Sequence, residues 1–264
     1  MSTFLRSQSL KFSFKGPKDV LVEILERREG VVGTMLSWDS AGMLVADGQR
    51  SFQWDHKGQL QSITTGGGDQ GQYGYDALGR RTVKTAGSLT TTSVYDGWQC
   101  IWQKVTGSGT DTTKAYLYGN YIDEPIAMVR SWGTSSDTLW YLQGNNYNVE
   151  ALTDRSGAIV ERYAYTPYGE PTVYTAAGTD GKWFTSDDVT ASVSARGNSV
   201  TFQGRELDAE TGVYYFRNRY YSAQMGRFVS RDPIRLDGDY ENTYRQEYGD
   251  PLDLLDPMGE MQEQ

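Results

Sequence analysis

Few of the side chains that usually carry chemistry are present in this sequence. There is one histidine, His56, and one cysteine, Cys100. A Ser-His-Asp arrangement is possible only if His56 itself serves, and the surrounding "WDHKGQL" reads as an exposed turn. A lone cysteine excludes a disulfide framework within the chain and a cysteine metal cluster. What remains is carboxylate and arginine chemistry. Asp180, Asp187 and Asp188 fall in the glycine-containing stretch "AAGTDGKWFTSDDVTASVSARGNSV", residues 176–200. They can offer oxygen ligands to Ca²⁺, but their spacing misses the EF-hand pattern. An acidic hairpin pinned to a sheet by Trp183 and Phe184 is the simpler reading. The second concentration is "RELDAETGVYYFRNRYYSAQMGRFVSRDPI", residues 205–234, where arginine alternates with tyrosine and the run closes on Arg-Asp-Pro. Arginine stacks on rings and bonds carboxylates bidentately, which lysine does poorly.

The elements that must position these groups are β-strands. Tyr and Trp are abundant, at 19 and 7, while apolar residues make up only 38% of the chain. Large rings with polar tips imply a thin, hydrogen-bonded core. Thirty glycines imply many turns, and long helical patterns are absent after residue 30. The net charge of -9 opposes a nucleic-acid partner, whose phosphates demand a basic surface. No run of about 18 apolar residues exists to span a membrane, and "MSTFLRSQSLKFSFKG" lacks the apolar centre of a signal peptide.

A repeat organises the middle of the chain. "WDSAGML" from Trp38, "WDHKGQL" from Trp54, "YDALGRR" from Tyr75 and the partial "YDGWQCI" from Tyr95 share an aromatic-Asp start, and "TDRSGAIVERYAYTPYG" at 153–169 is a later relative. In each unit the aromatic ends a strand, the Asp side chain bonds nearby backbone N–H groups, and Gly accepts the positive φ that reverses the chain. Repeated hairpins of this kind make a long sheet in which each unit covers its neighbour's edge. Residues 1–30 stand apart. "KDVLVEILERRE" there is either a short amphipathic helix or the ragged start of a truncated array.

The repeat unit resembles the YD repeat of the Rhs family. The run from Gly204 to Ile234, with "NTYRQEYGDPLDLLDPMG" from Asn242 to Gly259, resembles that family's repeat-associated core more closely. The resemblance implies an all-β fold: YD-repeat hairpins forming a curled, shell-like β-sheet, ended by an inward-turning Rhs core plug. The division expected is 1–30 an atypical segment, 31–175 the repeat sheet, 176–200 an acidic loop or hairpin, 201–259 the core and 260–264 a tail. It further implies an autoproteolytic aspartate pair, carried here by Asp232 within Arg231-Asp232-Pro233 and by Asp256 within Asp256-Pro257-x-Gly259. Arg231 would tune the pair or stabilise oxyanion charge. Glu260 stands where the family pattern has Leu, at the expected cut. Two carboxylates that share a proton divide into an acid and a base. The role implied is a shell or cap of a polymorphic-toxin or cell-surface system without a toxin of its own, secreted or at the cell surface, needing no cofactor. Toxin or other Rhs shell segments are possible partners, as are other proteins or carbohydrate. The alternative is a non-catalytic β scaffold or binding module. For the "YYFRNRYY" run, period-2 alternation places Tyr215, Arg217 and Arg219 on one face and Tyr214, Phe216 and Tyr220 mostly on the other.

Overall fold

The computed structural model describes residues 11–14, 21–25, 34–107, 109–233, 243–246 and 254–260. From Lys11–Phe14 to Val189–Ala191, each strand pairs antiparallel with the one before it in sequence. Among the described residues these strands form one seventeen-stranded sheet, and a separate four-stranded sheet follows, running from Glu206–Asp208 to Arg227–Phe228. Leu21–Leu25 is one of the seventeen and pairs with Thr34–Trp38, so the helical reading of that segment does not hold. Four apolar residues in five positions fit a buried strand as well as a helix turn, and pairing on both sides decides the matter.

The repeat turns follow the expected chemistry. Oδ1 of Asp55 accepts the N–H groups of Lys57 and Gln59 at 2.8 and 2.9 Å, and Gly58 adopts φ +76°. Asp76 and Asp154 repeat the arrangement and Asp39 makes the second of these bonds, to Met43 N–H, with the glycine three residues on at positive φ each time. A register shift at each of these turns marks a bulge, which adds twist to the strand pair. Thr166 fills the Asp position in one further turn, where its Oγ1 accepts Glu170 N–H at 3.0 Å. The partial unit at Tyr95 differs, because Asp96 pairs directly with Gln99 around Gly97 in a tight hairpin.

Curvature lets one sheet cover two faces of another. Val213, Tyr215 and Tyr220 of the small sheet pack with Leu36, Trp38, Phe52, Leu60, Ile63 and Tyr73 from the early strands. On the opposite face Tyr214, Phe216, Tyr221 and Phe228 pack with Phe202 and Tyr165. The hydroxyls of Tyr214 and Tyr221 donate to the carbonyls of Gly169 and Tyr168, at 2.8 and 2.9 Å. The large sheet therefore curls around the small one, and two of its strands, Leu44–Ala46 and Val149–Thr153, bond the core through Leu44 N–H to Val229 O and Val149 N–H to Thr201 O. Each fully buried ring contributes about 2–3 kcal/mol from apolar area alone.

The face assignment within "YYFRNRYY" needs correction. Phe216 pairs with Arg219, Tyr215 with Tyr220 and Tyr214 with Tyr221, so a turn at Arg217-Asn218 interrupts the alternation. Arg217 takes φ +59° in that turn. Directly opposed residues share a face, which puts Tyr220 with Tyr215 and puts Arg219 with Phe216 and Tyr221.

Candidate functional site

That corrected register is what builds the site. Arg219 is 1% exposed, and its guanidinium carbon lies 3.5 Å from the centre of the Phe228 ring. Its Nη2 meets Asp256 Oδ2 at 3.0 Å and Asp232 Oδ2 at 3.3 Å. One nitrogen therefore bridges both carboxylates predicted from the sequence, which are 3% and 4% exposed. Arg219 Nη1 donates to Thr243 O at 3.3 Å and Nε donates to Gly259 O. Asp232 is held from behind by its own N–H, which donates to Thr243 O at 3.1 Å. Asp256 Oδ1 accepts the Glu260 N–H at 2.8 Å, so the tail turns back over the pair.

Two carboxyls of this cluster hold a proton more tightly than free carboxyls do. Burial pushes the Asp256 carboxyl above the usual carboxylate range; Arg219 and the Glu260 N–H oppose this, and Asp232 adds to it. Glu260 is raised by burial and then by Asp232 and Asp256, against Arg219. Burial lowers the Arg219 guanidinium, with both aspartates acting in the opposite sense.

Other expected groups are placed differently. Arg231 is exposed, and its Nε lies over the Gly42 turn beside the Tyr244 hydroxyl. The guanidinium between the carboxylates is that of Arg219. Arg231 lines a cavity of about 620 Å³ together with Asp232, Glu260, Tyr220 and the turns at Asp39 and Asp55. Of the two aspartates, Asp232 borders this cavity and Asp256 does not. His56 is exposed on the Asp55 turn at the same cavity. Burial pushes the Cys100 thiol up to about 12, which makes it a poor nucleophile.

In the acidic loop, Asp187 Oδ2 accepts Thr179 N–H at 2.7 Å, and Asp188 Oδ2 accepts Phe184 N–H at 2.6 Å. Hydrogen bonds from Thr185 and then Thr179 draw Asp187 down to about 2. Asp180 Oδ1 accepts the Lys182 N–H. These oxygens close the loop's own backbone, and among the described residues no group of three His, Cys, Asp or Glu is placed to hold a metal ion. Phe184 lies edge-on to Tyr174 at 5.0 Å with Arg162 over its ring. Four further acids near this core, Asp237, Asp239, Asp250 and Asp253, lie outside the described residues.

Gly259 is fixed by its surroundings. It has φ +67°, and a Cβ there would overlap the Phe216 carbonyl oxygen. Gly259→Ala is expected to lift the tail off the core and to raise proteolytic accessibility of residues 254–260 at least about tenfold, a change of about 1.4 kcal/mol in local opening. Limited proteolysis followed by mass mapping reads this directly.

The comparisons with known proteins agree with this architecture. A family model described as RHS Repeat matches residues 54–92, which hold the turns at Asp55 and Asp76. The tRNA nuclease WapA of Bacillus subtilis (strain 168) is 30% identical over 229 residues, covering 85% of this chain. The chain belongs to the Rhs-repeat family. This Rhs-repeat chain spans 9% of that WapA protein's length. Toxin subunit YenC2 of Yersinia entomophaga is 25% identical over 232 residues, or 80% of this chain and 22% of that protein. The crystal structure of TcdB2-TccC3-Cdc42 shares the fold, with a TM-score of 0.66 and 19% identity over 95% of this chain and 13% of that one. No helix among the described residues is long and apolar enough to cross a membrane.

Proposed function

We propose that this Rhs-repeat chain closes one end of a β shell and that its core hydrolyses the peptide bond following Glu260. The observation that carries the proposal is the single Arg219 nitrogen bonded to both Asp232 and Asp256, with the Glu260 N–H on Asp256. Asp232 takes a proton from water as that water attacks the Glu260 carbonyl carbon. Asp256, the carboxyl raised by burial, gives its proton to the departing amide nitrogen. The C–N bond breaks, a carboxyl forms on Glu260, and the proton taken by Asp232 returns the pair to its starting charge. A glutamate in the family's leucine position places a third carboxyl beside the pair. Its raised affinity for protons limits the added charge.

The rate is expected to fall as pH rises through the elevated value of Asp256, because the leaving nitrogen then lacks its acid. Intact mass tests the reaction. Wild type is expected to lose the residues after Glu260, whereas Asp232→Asn keeps them, a loss of about 10²–10⁴-fold in rate. Full mass for the wild type after prolonged incubation at pH 4–7 would remove the proposal. The ion pairs of both aspartates with Arg219 also suit a purely structural scaffold. In that reading Asp232→Asn changes the melting temperature and no covalent bond.

A further inference from the structure

The backbone just ahead of Glu260 is gripped by core donors, and two of these are locked by a carboxylate of the large sheet. Asp123 sits between the strands Thr112–Tyr118 and Pro125–Trp132 and is 3% exposed. Its Oδ2 accepts from Arg205 Nη2 at 2.5 Å and its Oδ1 from Arg217 Nη2 at 2.6 Å. Gly204, at φ +66°, lies so near that a Cβ would overlap the Asp123 carbonyl oxygen. Sheet and core backbones are thus in contact at this point.

The same two guanidiniums reach the tail. Arg205 Nη2 donates to Pro257 O at 2.8 Å, and Arg217 Nη1 donates to the same oxygen. Asn218 Nδ2 donates to Met258 O at 3.1 Å, and Arg219 Nε takes Gly259 O. Three successive carbonyls therefore each have a side-chain donor. Two buried guanidiniums face one carboxylate, so the positive excess falls on peptide oxygens, where charge-assisted bonds are strong. Without Asp123 the arginines would be buried cations lacking a counter-charge, an arrangement proteins avoid.

We propose that Asp123, Arg205 and Arg217 form a clamp that sets the register of residues 256–260 and makes self-cleavage conditional on docking of the core into the large sheet. These are positioning residues that act through Pro257, one peptide unit from the carboxylate they align. An ångström of slack there is enough to lower a rate steeply. Because Asp123 belongs to the sheet, the clamp is complete only after the sheet has closed over the core.

The kinetic half of this inference rests on the self-cleavage reading, so the test has two arms. In an Asp232→Asn background, hydrogen exchange at the Gly259 and Glu260 amides is measured with Arg217 intact and as Arg217→Gln. The clamp predicts exchange at least about tenfold faster in the variant, with the Tyr214–Phe216 amides unchanged. Equal exchange in the tail overturns the clamp. With Asp232 restored, Arg217→Lys keeps the charge but cannot bond Asp123 and Pro257 together, and release is expected to slow about tenfold or more at an unchanged melting temperature. A wild-type rate in Arg217→Lys overturns the positioning role. Should Arg217→Gln fail to fold, Arg217→Lys is read in the exchange arm as well. Faster tail exchange in a chain whose wild type never cleaves would uphold the clamp's grip and sink the self-cleavage reading alone.

Discussion

Arg219→Met is expected to destabilise the protein by about 3–5 kcal/mol and to abolish cleavage after Glu260. The size follows from what the change leaves behind. Asp232 and Asp256 have side chains 0% and 2% exposed, and both depend on the same guanidinium nitrogen. Methionine fills much of the space over the Phe228 ring, so the loss is chiefly that of the counter-charge. Gly259 O loses its Arg219 donor in the same step, and Thr243 O keeps only the Asp232 N–H. Urea titrations at pH 7 check the stability, and intact mass checks the cleavage. A further variant isolates the cause. Adding Asp232→Asn and Asp256→Asn to Arg219→Met removes the stranded charges, and more than half of the lost stability is expected to return. If the triple variant is no more stable than Arg219→Met, packing rather than charge explains the effect.

The second large effect belongs to Arg81, which ties the curled sheet to the core on the other side of the hairpin. Its Nη1 meets Asp208 Oδ2 at 2.5 Å, its Nη2 meets Glu206 Oε2 at 3.0 Å, and its guanidinium lies 4.5 Å from the Tyr215 ring centre. Lys84 completes the group by bonding Asp208 at 2.9 Å and Glu210 at 3.0 Å. Asp208 has no exposed side chain. Arg81→Met is therefore expected to cost about 3–4 kcal/mol. The pH dependence carries a sign. Burial raises Asp208 and Glu206, but Arg81 and then Lys84 outweigh it and hold both below their ordinary values. A depressed carboxylate contributes stability above its unfolded pKa, about 4, and loses it as pH falls through the folded value. Wild type should accordingly lose stability below about pH 4, and Arg81→Met should show a flatter acid limb. Thermal melts between pH 2.5 and 7 decide this. Parallel acid limbs in the two proteins would show that Arg81 does not set the titration of Asp208.

The sequence disclosed the large sheet well because its turns are local. An Asp that bonds the amide four residues on and a Gly at positive φ are readable from five residues, and the four turns at Asp39, Asp55, Asp76 and Asp154 form as those residues dictate. The core was legible through a family's ordered glycines, tyrosines and aspartates, and Asp232 and Asp256 do converge. Register was the weak point. Treating "YYFRNRYY" as one strand hid the Arg217-Asn218 turn, and with it the fact that Arg219 and not Arg231 faces the pair. Positive φ at a non-glycine residue leaves little mark in composition. Asp123 left none at all, because its partners Arg205 and Arg217 are some 80 and 90 residues away in the chain, and only tertiary contact joins them.

If Asp232 and Asp256 cut a tail gripped inside the curled sheet, as proposed above, the cut is made within one molecule. The most direct measurement is release of a reporter domain fused after Gln264, followed by mass and gel over a range of protein concentrations. Cleavage in place predicts first-order release with a rate independent of concentration, a new carboxyl terminus at Glu260, and no release from Asp256→Asn. Release that scales with concentration, a terminus elsewhere, or unchanged release from Asp256→Asn would contradict it.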